Sequence, residues 1–82
     1  MFYVYILSSK SRGRHYTGHT ANPTQRLGQH NHGITASTKN RGPWELVHRE
    51  ELATRAEAMR REKFLKSGKG RDELAQILGL RP

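Results

Sequence analysis

Residues Phe2 to Leu7, read Phe-Tyr-Val-Tyr-Ile-Leu, form an unbroken aromatic and aliphatic run that stops at Ser8, Ser9 and the polar stretch Lys10 to Arg14. Apolar, β-branched and bounded by turn residues, such a run reads as a buried strand opening a hairpin. His15 to Thr20 is the return strand, and Gly13 in the connection and Gly18 within the strand are natural places for a turn or a close backbone approach.

The hairpin is followed by punctuation with a mechanism. Asn22-Pro23-Thr24-Gln25 places Asn as N-cap, Pro at the first helical position and Gln where it can reach back to the cap, so a helix is expected to about Asn31. Gly33 sits where a left-handed residue ends a helix, and Ile34 to Gly42 is a polar, basic loop closed by Pro43. Trp44 to Arg49 alternates Trp44, Leu46 and His48 against Glu45, Val47 and Arg49, the period of a half-buried third strand. Thr54-Arg55-Ala56-Glu57 is a capping box opening a helix to about Lys66, broken by Ser67 to Gly70. A last helix, Asp72 to Leu78, puts Leu74, Ile77 and Leu78 on one face and ends at Gly79 and Pro82. The expected fold is α/β: a small, three-stranded, mainly antiparallel sheet flanked by three helices, in the order strand-strand-helix-strand-helix-helix and in a single domain over 1–82.

A core built from 82 residues, a third of them hydrophobic, leaves little room for an enclosed pocket, so a ligand lying across the surface is favoured. Fifteen Lys and Arg against seven Asp and Glu give a net charge of +8, which suits a polyanion; a basic surface kept for solubility is the other reading. Without cysteine there is neither a disulfide framework nor a thiolate zinc site, and His15, His32 and His48 show no zinc-ligand spacing. No apolar stretch is long enough to span a bilayer and the first residues lack a signal-peptide pattern, so a cytoplasmic location is expected, with no membrane partner and no small-molecule cofactor.

Three sets of residues carry chemical promise. Tyr5 and Tyr16 lie on adjacent strands, where paired tyrosines also serve as core aromatics with a bonded hydroxyl. Arg26 and His30, four apart in one helix, offer a bidentate phosphate donor beside a proton-transfer group, or else a solvated polar face. Glu62 falls at 100° per residue between Met59 and Ala58 on one side and Leu65 on the other, in a stripe expected to face the sheet. A carboxylate there needs a metal or a partner, and Arg26 or Arg55 is the ion-pair alternative.

Tyr3-Val4-Tyr5-Ile6 followed after a hairpin by Tyr16-Thr17-Gly18 resembles the two signature motifs of the GIY-YIG nuclease superfamily, with Tyr3 where the first motif has Gly. Arg26, His30 and Glu62 fill further positions of that family. Together with Gly33, Pro43-Trp44 and Arg60 to Lys63, the resemblance runs from Phe2 to about Gly70 and is to its small, standalone, single-domain branch. It implies a divalent-metal-dependent endonuclease that hydrolyses phosphodiester bonds in DNA, ahead of RNA, with low sequence specificity and a leaning toward branched or damaged structures. It implies that Glu62 holds one Mg²⁺ or Mn²⁺, that Tyr5 or His30 takes the proton of the attacking water, that Tyr16 orients water or phosphate, and that Arg26 stabilises the transition state. His19, where some members carry Lys, is a secondary candidate. An unperturbed phenol titrates near ~10, so Tyr5 serves as base only if cationic neighbours lower its pKa.

Lys39, Arg41, Lys63, Lys66, Lys69 and Arg71 are expected to contact the nucleic-acid backbone irrespective of sequence. Two other classes stay open: a non-catalytic nucleic-acid-binding module, and an interaction subunit that keeps the fold. A protein partner that supplies targeting is compatible with all three.

Overall fold

The computed structural model describes residues 1–9, 14–31 and 43–79. Its elements run β1 (Phe2–Ser9), β2 (His15–Thr20), α1 (Pro23–Asn31), β3 (Trp44–Leu52), α2 (Arg55–Lys66) and α3 (Arg71–Ile77), the order the sequence implies. Gly13, Gly33, the loop Ile34 to Gly42 and Pro82 lie outside the described residues, as do Lys39 and Arg41.

The sheet is antiparallel in the order β2-β1-β3. The unbroken apolar run thus occupies the middle strand, and Val4, Tyr5, Ile6 and Leu7 are all buried because both faces are covered. Alternate residues of β1 build two separate cores. Val4 packs with Ala58 and Leu65 of α2, and Phe2, Leu52, Leu74 and Ile77 close around them. Tyr5 and Leu7 pack with Trp44, flanked by Tyr16, Leu46 and Leu27 of α1. One face of the sheet therefore carries α2 and α3, and the other carries α1.

The alternation expected of β3 is present, with Trp44, Leu46 and His48 covered and Glu45, Val47 and Arg49 exposed, but the pairing with β1 is irregular and the strand runs past Arg49. Ile6 pairs with His48 but Leu7 with Leu46, so Val47 is an extra residue, a β-bulge, and the strand continues to Leu52. Trp44 and Leu46 enter the α1 core, whereas Leu52 enters the α2 core. Val47 itself is left 44% exposed.

The helix caps form as their residues dictate. The Asn22 Oδ1 accepts from the Gln25 N–H at 3.1 Å, and the Thr54 hydroxyl accepts from the Glu57 N–H at 3.2 Å, each contact of a type that stabilises a helix by about 1 kcal/mol. Gly79 ends α3 with φ of +69°, a backbone region cheap only for glycine. Across the sheet, Asn31 clamps Trp44: its Oδ1 accepts from the Trp44 N–H at 2.6 Å and its amide donates to the Trp44 carbonyl at 3.2 Å. The α2 face carries an ion network in which the Arg61 guanidinium forks onto Glu50 of β3, at 2.7 and 3.0 Å, and also bonds Glu73 of α3. His48 Nε2 lies 3.0 Å from the same Glu50 carboxylate. Among the described residues no helix is long and apolar enough to cross a membrane.

Candidate active site

The α1 face gathers an aromatic cluster around one hydroxyl. Tyr5 of β1 lies opposite Gly18 of β2, and its ring lies across that glycine. A Cβ on residue 18 would sit 2.6 Å from the Tyr5 hydroxyl and 3.0 Å from the Tyr16 ring, so the glycine makes room for both phenols. The Tyr16 ring stands 6.2 Å from that of Tyr5 and 4.7 Å from the His30 imidazole. Tyr3, two residues before Tyr5 at the position where the first motif has glycine, is half-buried with the Arg49 guanidinium 5.7 Å over its ring.

From α1, His30 and Arg26 both reach this cluster, as their four-residue spacing requires. The Tyr5 hydroxyl is 2.9 Å from His30 Nε2, and His30 is 1% exposed. Burial first, and then the charge of Arg26, push His30 down to about 4, so its imidazole is neutral near pH 7. Burial pushes Tyr5 up to about 12, against the pull of the Arg26 guanidinium, and Tyr16 and Glu62 add to the rise. Arg26 in turn is held more firmly charged, chiefly through Tyr5 and also through Tyr16, and its Nη1 donates to the Gln29 side-chain Oε1 at 2.8 Å. The two tyrosines on the paired strands are therefore core aromatics and members of a polar cluster at once.

Glu62 approaches from α2. The apolar stripe of that helix is narrower than expected: Ala58 and Leu65 are buried, Met59 is 52% exposed, and Glu62 stands at the stripe's margin with its side chain 21% exposed. Its partners are neither Arg26 nor Arg55. His19 Nδ1 lies 2.7 Å from Oε1, and Lys66 Nζ donates to Oε2 at 2.9 Å. Burial by itself would raise Glu62, but Lys66 and His19 outweigh it and hold the carboxyl below its ordinary range. An ionised carboxylate only accepts, so His19 Nδ1 carries the proton and donates.

Lys66 links the two groups, with its ammonium 5.7 Å from the centre of the Tyr16 ring while bonded to Glu62. Among the described residues no three His, Asp or Glu side chains converge as a ligand set. Any divalent ion here would rest on Glu62 plus water and substrate oxygens, a donor set that suits a hard cation and fits Mg²⁺ better than a metal wanting a full protein cage. Lys63 lines an apolar cleft beside His19 and Glu62, and Lys69 and Arg71 are exposed around the α2–α3 junction. Three pairings were not expected from the sequence: Arg26 with Gln29, Glu62 with Lys66, and Glu62 with His19. Gln29 is three residues after Arg26 and Lys66 four after Glu62, so helical spacing alone could have flagged both. The contact between His19 and Glu62 spans 43 positions and leaves no local signal.

Residues 1–74 match the family model described as the GIY-YIG catalytic domain. The chain is 41% identical over 76 residues to a UPF0213 protein of Staphylococcus haemolyticus, with 92% of each chain covered. It is 41% identical over 51 residues to the structure-specific endonuclease subunit SLX1 of Homo sapiens, which covers 57% of this chain and 18% of that protein. Among solved structures it is similar to the solution NMR structure of a UPF0213 protein from Bacillus halodurans, at 36% identity and a TM-score of 0.54, covering 94% of this chain and 85% of that one.

Proposed function

From the premise that the chain belongs to the GIY-YIG family, we propose that it is a divalent-metal-dependent endonuclease that hydrolyses phosphodiester bonds in DNA. The observation that carries this reading is the convergence on one hydroxyl: Tyr5, bonded to His30 and held by Arg26, faces the field of Glu62. SLX1, matched over part of its length, is by name a structure-specific endonuclease subunit, which makes branched or flapped forms the first substrates to try.

Each residue then has a part. Arg26 donates to phosphate oxygens and stabilises the charge that builds as the new P–O bond forms and the old one breaks. Tyr5 is protonated near neutral pH, so it works as a relay: it takes a proton from the attacking water while passing its own to His30 Nε2. Buried His30 cannot meet that water directly and acts through Tyr5. An incoming phosphate offsets the charge of Arg26, one of the two causes that depress His30, and so strengthens the imidazole as a base when substrate is present. Tyr16 orients the phosphate. Glu62, aimed by His19, would hold Mg²⁺ or Mn²⁺, which would supply charge neutralisation at the phosphate and leaving oxygen. Lys66, bonded to Glu62 and beside the Tyr16 ring, adds a positive charge where the phosphate would lie. Lys63, Lys69 and Arg71 contact the backbone of the nucleic acid.

The test is cleavage of labelled branched, flapped and duplex DNA, and of RNA, with Mg²⁺, with Mn²⁺ and with chelator, using wild type, Glu62→Gln and Tyr5→Phe. Metal-dependent products absent from both variants are the expected result. Equal faint cutting by all three proteins would sink the nuclease reading and leave a binding module.

A further inference from the structure

A cleft of about 330 Å³ opens between the end of β2 and the first turns of α1 and α2. Arg26 forms one wall and Arg55 another, and no carboxylate lines it. Its hydrogen-bonding inventory is lopsided. The Thr20 hydroxyl oxygen accepts from the Asn22 N–H at 3.1 Å, the Asn22 Oδ1 from the Gln25 N–H, and the Gln29 Oε1 from Arg26. Each of those oxygens already accepts a bond, while the NH₂ groups of Asn22 and Gln29 can still donate, beside two guanidiniums that have no acceptor to give. Gln25 adds one amide of either polarity. Such a cavity suits a ligand made of acceptors with negative charge.

We propose that this cleft is a second phosphate-binding subsite, seating a backbone phosphate next to the one that is cut. This rests on the nuclease reading for its ligand, a single strand of nucleic acid, and on the cleft alone for its chemistry. Arg26 is shared between the cleft and the Tyr5 hydroxyl, so it touches two phosphates in succession. The strand therefore runs from the scissile position toward α1 and the start of α2. Arg55 is the guanidinium dedicated to the second phosphate. Its charge already lies over the Phe2 ring, 4.8 Å from the centroid, which fixes it at the cleft mouth.

The test is the salt dependence of binding to a fluorescently labelled DNA oligonucleotide, followed by anisotropy in chelator so that no cleavage intervenes. Gln25→Glu places a carboxylate in the cleft at the third helical position, where an acid favours the helix, so lost binding there is not lost folding. Arg55→Gln removes the dedicated cation. Each is expected to weaken binding and to flatten the plot of log K against log salt by about one contact's worth. Gln76→Glu, the same charge change on α3, is expected to leave the slope unaltered. Unchanged slopes for both cleft variants, or an equal loss in Gln76→Glu, would overturn the subsite. Flattened slopes in a protein that never cleaves would support the subsite and defeat the nuclease reading; cleavage with unchanged slopes would do the reverse.

Discussion

Two arginines stand on opposite faces of the same sheet, and their surroundings divide the molecule. Arg61, on the α2 face, is gripped by two carboxylates, with its Nε and Nη2 on Glu50 and its Nη1 on Glu73. Arg26, on the α1 face, has as partners two phenols and a neutral amide. The charge of Arg61 is consumed inside the protein, joining β3, α2 and α3. That of Arg26 is fixed in place but not neutralised, and its field still reaches His30 and Tyr5. One face uses ion pairing to hold elements together, while the other orients a cation with uncharged groups and leaves its charge for a ligand.

The contrast is sharpest in matched substitutions. Arg26→Ala is expected to lower metal-dependent cleavage by ~10²–10³-fold, the usual loss for one donor to a developing oxyanion, with little change in melting temperature. Arg61→Ala should do the opposite, costing about 1–3 kcal/mol of stability because Glu50 is left half-buried without its fork, while cleavage per folded molecule persists. Activity assays and thermal unfolding of both variants read this directly, and a stability loss in Arg26→Ala as large as in Arg61→Ala would erase the distinction.

A smaller effect tests whether the α1 face is built for position. Gly18→Ala brings a methyl group against the Tyr5 hydroxyl, and the ring must move. Cleavage should fall by up to ~10²-fold, as misplacement of a reacting group by about 1 Å commonly costs. A structure of the variant with Tyr5 still bonded to His30 and activity intact would show that the close approach is only packing.

The smallest effect separates the faces by pH. His30 is depressed from 6.5 to about 4, so the unfolded chain takes up a proton first; the stability due to neutral His30 is present above 6.5 and drains as pH falls toward 4. Glu50 is held below its ordinary 4.5, chiefly by Arg61, so its contribution is present above that value and is lost only as pH falls further. Denaturant unfolding against pH should therefore show two windows, and His30→Gln should flatten the upper one alone. A single acid transition unaffected by that substitution would mean that the imidazole is not held neutral.

Much of this was legible in order along the chain. The run Phe2 to Leu7, the Asn22 and Thr54 caps and the helical spacing of Arg26 and His30 are local patterns with local causes, and they came out in place. The bulge at Val47 did not show. Polarity keeps alternating through it, because Trp44 and Leu46 are covered by one face and Leu52 by the other, and a period of two is blind to which face does the covering. The partners of Glu62 divide in the same manner: Lys66 is a helical neighbour, whereas His19 is brought in by the antiparallel hairpin and by the packing of α2 against it.

The clamp between Asn31 and Trp44 has a consequence for how such a domain can diversify. Its two hydrogen bonds tie the end of α1 to the start of β3, so Asn31 and Trp44 are held at fixed, adjoining points. Lengthening the stretch between them adds closure entropy of only about 0.6 kcal/mol per doubling. Evolution can therefore write new recognition sequence into that interval, or remove it, while the tyrosines, Arg26 and His30 keep their geometry.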